Sequence, residues 1–275
     1  MRRRVERALL LAILVVAAGW ALRPALRVAR WSVQGAWELI WLPSPPPALR
    51  VEAPVRIAHA GGALGALRYT NALEALEQNH ARGVRWFEMD LLPDSQGEWW
   101  AVHDWQQAHE LLGVPLDAAG RGLPRGQPPG APFRLPSLEQ VLVWFGRHGD
   151  ARLITDTKGD NAILLQRLGS APQPVRERIH PQIYRLEEYG PAREGGFAAP
   201  IFTTYRSGYP WWVLRRFAGR ASLLALTVTR AEAMEACAAL CGRVPLLTHT
   251  INDPAEAAAL MTAGIAGVYT DELLP

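Results

Sequence analysis

Ile57-Ala58-His59-Ala60-Gly61-Gly62, Trp86-Phe87-Glu88-Met89-Asp90 and Trp99-Trp100-Ala101-Val102-His103-Asp104 follow one another closely in the chain. Each opens on a short apolar run that reads as a buried strand. Each run gives way to imidazole or carboxylate groups. Reactive side chains at the C-terminal ends of successive strands are the layout of a parallel α/β barrel, whose active sites sit at that face. Residues two apart on a strand share a face, so Glu88 and Asp90 should project together, with Phe87 and Met89 turned the other way.

Two convergent carboxylates are half of a site for Mg²⁺ or Ca²⁺, which prefer oxygen ligands. His59 and His103 on flanking strands suit general acid–base work near neutral pH. A lone Glu-x-Asp is usually a solvated pair and a lone His-Asp usually a turn or a cap. Their succession at three strand ends favours a site.

These residues, with Asn71-Ala72-Leu73-Glu74-Ala75 and the Asp94-to-Gly97 turn, resemble the core pattern of the glycerophosphodiester phosphodiesterases, within the superfamily of phosphatidylinositol-specific phospholipase C barrels. The likeness continues through Leu135-Pro136-Ser137-Leu138-Glu139, Asp156-Thr157-Lys158 and Thr270-Asp271, covering roughly residues 55 to 275. It implies a (β/α)8 barrel that cleaves a small phosphodiester or lipid headgroup. It also implies one divalent cation on Glu88, Asp90 and Asp156, catalysis by His59 and His103, and Lys158 facing the phosphate.

Four departures stand out: Ala60 where the family has arginine, Tyr69-Thr70-Asn71-Ala72 where it has Pro-Glu-Asn-Thr, Asp156 where it usually has glutamate, and His249 where it tends to have tryptophan. The last makes His249 a candidate for contact with the substrate's alcohol moiety. Two rival functions remain, a phospholipase D-like lyase acting on intact lipids and a non-catalytic barrel that binds a phosphodiester or lipid headgroup.

The 275 residues suit one barrel plus an extension, because such barrels need about 250 residues. Net charge is only +3, the arginines are dispersed, and no nucleic-acid motif is present, so nucleic acid is not an expected partner. Residues 1–42 read as a membrane anchor and interfacial helix. Ala8 to Leu22 is uncharged and apolar, and is flanked by Arg7 and Arg23. It is somewhat short for a clean spanning helix and longer than most signal-peptide h-regions; a cleaved signal is the rival reading.

Residues 24–42 suit either a helix lying in the membrane interface or one packed against the barrel bottom. Residues 43–50 are a proline-rich linker, and 51–275 are the barrel. A single-pass anchor with the domain outside the cytoplasm, periplasmic or extracellular, is expected because the short tail Met1–Arg7 would stay inside. Nothing in the sequence indicates the oligomeric state.

Candidate strands at 55–59, 85–91, 99–103, 152–157, 179–184, 200–205, 222–228, 245–250 and 266–270 exceed a barrel's eight by one, and 222–228 is the expected surplus. Helical patterns cover 71–82, 137–148, 186–195, 210–218, 230–242 and 254–263. The Gly/Pro/Arg-rich stretch before Pro136 reads as a lid or a disordered insertion; the resemblance, in which a small insertion after the His-Asp motif covers the substrate, implies the lid, with Arg121, Arg125 and Arg134 as candidates to face an anion. Cys237 and Cys241, one helical turn apart, read as ordinary core residues. His80, His109, His148 and His180 have no acidic neighbour at useful spacing.

Overall fold

The computed structural model describes residues 25–40, 42, 52–53, 55–115, 117, 120–121 and 130–274. Eight parallel strands close into a barrel: β1 (Arg56–Ala58), β2 (Trp86–Pro93), β4 (Arg152–Asp156), β5 (Ile179–Ile183), β6 (Ile201–Thr203), β7 (Ala225–Thr229), β8 (Leu246–His249) and β9 (Gly267–Thr270). Closure runs through β1, which pairs with β9 on one side and, at Ala58↔Phe87, with β2 on the other.

The surplus strand is β3 (Trp99–Ala101), which pairs antiparallel with β2 beyond the barrel wall. The sequence expectation at 222–228 is thereby corrected, since β7 is hydrogen-bonded to β6 and β8 in the wall. The β2–β3 connection is a tight turn. Asp94 accepts from the amides of Gln96 and Glu98, and Gly97 takes a positive φ, a conformation open to glycine without steric cost.

The alternation along the strands divides two apolar layers. Ile57, Ile154, Ile201, Leu247 and Tyr269 fill the barrel interior above Trp86. Ala58, Phe87, Met89 and Leu153 face outward into the larger layer beneath the helices. This parity turns Glu88 and Asp90 inward, as the two-residue spacing requires.

The helices are α1 (25–40), α2 (Leu73–Ala81), α3 (Trp105–Leu112), α4 (Leu138–Arg147), α5 (Asn161–Gly169), α6 (Gln173–Arg176), α7 (Tyr189–Glu194), α8 (Trp211–Ala218), α9 (Ala233–Leu240) and α10 (Pro254–Thr262). Helix α4 starts at a reciprocal Ser137–Gln140 cap, and Asp160 and Asp253 cap α5 and α10, each satisfying amides the first turn leaves unpaired. Helix α2 begins two residues later than the pattern suggested, because Asn71 has a left-handed backbone.

Helix α1 packs along the barrel's flank on α8 and the loop before it, not across its bottom. Trp31 meets Tyr209 edge-on at 4.8 Å, and Arg220 donates to the Leu39 carbonyl at 2.7 Å. The expected span at 8–22 and the linker at 43–50 lie outside the described residues. No described helix is long and apolar enough to cross a membrane. Cys237 and Cys241 form a disulfide at the end of α9, so they are not the plain core residues expected.

Candidate active site

At the C-terminal mouth of the barrel, Glu88, Asp90 and Asp156 each present a carboxylate oxygen, and these atoms lie within 4.8 Å of one another. Register explains the convergence, because Asp90 on β2 is paired with Asp156 on the neighbouring β4. Each carboxylate is also held from behind. The Ala60 amide donates to Glu88 Oε2 at 2.9 Å, and Asn71 Nδ2 donates to Asp90 Oδ2 at 3.0 Å. Asp156 accepts from both the Tyr184 and Tyr205 hydroxyls.

Burial, then repulsion by Asp90 and Asp156, pushes the Glu88 carboxyl well above its ordinary range. Burial and then Asp156 raise Asp90. Three such groups this close cannot all ionise at low cost without a cation among them. The donor set is all oxygen, as Mg²⁺ and Ca²⁺ require. The residues therefore fit a divalent ion.

Of the three imidazoles that line the same cavity of about 240 Å³, two are paired with acids. His59 Nδ1 lies 2.9 Å from Asp271 Oδ1, and His103 Nδ1 lies 2.8 Å from Asp104 Oδ2. Each acid engages the Nδ1 edge of its ring, leaving Nε2 as the remaining titratable nitrogen. Burial alone would raise Asp271, but hydrogen bonds from His59 and Asn252 outweigh it and hold the carboxyl below its usual range. Burial likewise works against Asp104, and bonds from the Gln107 amide and His103 prevail. Both acids thus remain anions beside their histidines.

Lys158 Nζ stands 3.3 Å from His103 Nδ1 and 3.8 Å from Asp104 Oδ2. It lies in a bend just beyond β4, past the strand end that carries Asp156. His249 lines the cavity beside Tyr205, at 5.4 Å between ring centres. Burial, then the nearby His59, lowers its pKa and keeps it neutral. All seven residues expected at the site, His59, Glu88, Asp90, His103, Asp156, Lys158 and His249, line this one cavity.

Several residues were missed. Asp271 appeared in the sequence only as part of a motif, and its partnership with His59 joins opposite ends of the chain across the β1–β9 seam. Tyr69 has a left-handed backbone, and its ring lies edge-on to His59 at 4.5 Å and to His103 at 6.0 Å. Arg206 donates to the Thr157 carbonyl, lies 4.3 Å over the Tyr184 ring, and brings a second cation to the cavity wall. Tyr69 figured in the sequence only within a departure from the family pattern, and Arg206 carried no local signal.

Of the lid arginines, Arg121 pairs with Asp117 and Arg134 with Glu74, while Arg125 lies outside the described residues. His80 bonds Asp150 at 2.9 Å on the surface, and burial lowers the His180 pKa to about 4.

No family model matches the chain, and neither does any curated protein. Solved structures do. A glycerophosphodiester phosphodiesterase from Thermotoga maritima is 19% identical with a TM-score of 0.59, covering 81% of this chain and 96% of its own. A phosphodiesterase from Oleispira antarctica, solved with its product sn-glycerol-3-phosphate, is 17% identical with a TM-score of 0.57, over 80% and 93%. A glycerophosphodiester phosphodiesterase from Parabacteroides distasonis is 16% identical at 0.54, over 80% and 94%. At these identities the likeness establishes architecture: the chain has the closed parallel barrel fold of the glycerophosphodiester phosphodiesterases.

Proposed function

We propose that this protein is a divalent-cation-dependent phosphodiesterase acting on glycerophosphodiester-type substrates, a member of the glycerophosphodiester phosphodiesterases whose fold it shares. The observation that carries the reading is the meeting of two His–Asp pairs and three carboxylates in one cavity. A binding-only barrel has no need of two separately oriented imidazoles. The Oleispira antarctica neighbour binds sn-glycerol-3-phosphate, which supports a substrate of that class.

Glu88, Asp90 and Asp156 would hold the cation, which when bound polarises phosphoryl oxygens and acidifies a nearby hydroxyl. His59 and His103 stand on different elements of the cavity wall. One accepts the nucleophile's proton at Nε2 while the other donates from Nε2 to the leaving alkoxide. Asp271 and Asp104 fix the ring orientation and stabilise the imidazolium that each step creates. Lys158 and Arg206 offer positive charge to the phosphoryl oxygens, and Arg206 supplies from another element what Ala60 does not. His249, kept neutral, is placed to contact the alcohol portion of the substrate.

The attachment reading is that residues 1–22 anchor the chain, with the barrel on the outer side of the membrane. The Cys237–Cys241 disulfide supports that side, since disulfides persist in oxidising compartments. Turnover of water-soluble glycerophosphodiesters and of intact phospholipids, with and without Mg²⁺ or Ca²⁺, tests the function. Cation-dependent release of glycerol phosphate is the expected result. Activity confined to intact lipids would favour the lyase reading, and activity on neither would leave a binding barrel.

A further inference from the structure

Helix α1 has two apolar faces, and the barrel covers one. Toward α8, Gly35 lets the backbones approach so closely that a Cβ there would lie 2.6 Å from Val213 Cγ1. Leu39 is buried, and Glu38, the one acid of the helix, turns inward to accept from the Tyr209 hydroxyl at 2.5 Å. On the opposite side Leu26, Val33, Trp37 and Ile40 are 62–71% exposed. At 3.6 residues per turn these four fall within about 60° of one another. The two basic residues of the helix, Arg27 and Arg30, are both exposed, whereas its one acid is bonded to Tyr209. Helix α8 adds the exposed Trp212.

We propose that this outward face of α1 rests on an anionic lipid surface, seating the barrel on the bilayer by its α8 flank. Three features select lipid over another occupant. An apolar stripe with arginines and no outward carboxylate matches anionic headgroups over acyl chains, the pattern of helices that lie in the interface. In the sequence only Arg23 and Pro24 separate residue 25 from the uncharged run Ala8–Leu22. Residues 25–30 are exposed on every side, which leaves the basic first turns clear of the barrel.

The seat also reaches the active site. Trp31 packs against Gly208, in the loop that carries Tyr205 and Arg206 into the cavity. The cavity wall and the lipid-facing helix therefore share one loop, which suits a phosphodiester presented at a membrane surface. The inference deepens the proposed phosphodiesterase reading, and it is separable from the anchor at residues 1–22.

The test uses the full chain, labelled with a nitroxide at Val33→Cys, Ile40→Cys or, on the far side of the barrel, Val143→Cys. The native cysteines are tied to each other. In phosphatidylglycerol nanodiscs, labels at 33 and 40 should be relaxed several-fold more by oxygen than by a water-soluble nickel chelate, and the label at 143 should behave as in water. Water-like behaviour at 33 and 40 in a chain that remains membrane-bound overturns the docking while leaving the anchor intact.

If the chain stays out of membranes the anchor fails, and the labels are read with phosphatidylglycerol vesicles instead; water-like signals there overturn the docking too. Dipolar broadening between labels would assign the face to a second copy of this chain and overturn the lipid reading. The Val33→Glu/Ile40→Glu pair should lower turnover of a vesicle-presented phosphodiester about tenfold. Turnover of a water-soluble one should not change. Equal loss on both substrates would overturn the proposal independently.

Discussion

His59 and His103 make the same chemical pair in two different ways. The partner of His59, Asp271, comes from the other end of the chain and is buried, cross-braced by Asn252 through both its carboxylate and its amide. Barrel closure between β1 and β9 brings the two together. The partner of His103 is the next residue. Asp104 is more exposed and does double duty, since its other oxygen caps α3 by accepting from the Gln107 amide at 2.8 Å. One pair is therefore a product of the tertiary fold, and the other a local turn hung on a strand outside the wall. The first should be rigid and sensitive to its support, and the second tolerant of change.

The largest effects should come from the histidines themselves. His59→Ala and His103→Ala should each lower turnover by about 10²- to 10⁴-fold, the usual range for a general acid or base. A nitrophenyl phosphodiester, whose leaving group needs no proton, should rescue only the variant lacking the acid. Rescue of both or of neither would break the division of labour between the two pairs.

The supports should then separate. Asp271→Asn should cost about 100-fold and Asp104→Asn about 10-fold, the two ends of the range for residues that orient a functional group. Equal losses in steady-state turnover would mean that the pair across the β1–β9 seam has no special rigidity. Next come the carboxylates that share the cavity with both histidines. Glu88→Gln, Asp90→Asn and Asp156→Asn should each weaken cation binding, read by calorimetric titration. Both histidine variants should bind the ion nearly as the parent does.

The smallest effect is on stability, and its sign differs between regions. The folded-state pKa of Glu88 is raised above its ordinary 4.5, so its contribution is present below that pH and is lost as pH rises through the raised value. Asp271 and Asp104 are depressed below 3.8, so theirs is present above that pH and is lost as pH falls through the lowered values. Thermal melts of the cation-free protein should therefore weaken on both sides of an acidic optimum. Saturating cation should restore about 2.7 kcal/mol at one hundred times its dissociation constant, chiefly on the alkaline side. In Glu88→Gln the alkaline decline should flatten.

The amino-acid sequence alone determined the strand parity that turns Glu88 and Asp90 inward, the alternation of strands and helices, and the positions of both histidines. Those features follow from local periodicity and from side-chain chemistry, which neighbours in the chain carry with them. Sequence also marked α1 as ambiguous, and the ambiguity was real, because the helix has an apolar face for the barrel and another left exposed. Only the tertiary structure decided that the strand at 99–101 lies outside the wall while 225–229 lies within it, since both runs are mostly apolar and their hydrogen-bond partners are what distinguish them. The same holds for Asp271 beside His59, Tyr69 between two imidazoles, Arg206 at the cavity and the Cys237–Cys241 link. Each depends on distance in space between residues whose separation or rotamer no local pattern encodes. Barrel closure sets the distance from Asp271 to His59, because joining β9 to β1 brings the last residues of the chain against the first strand.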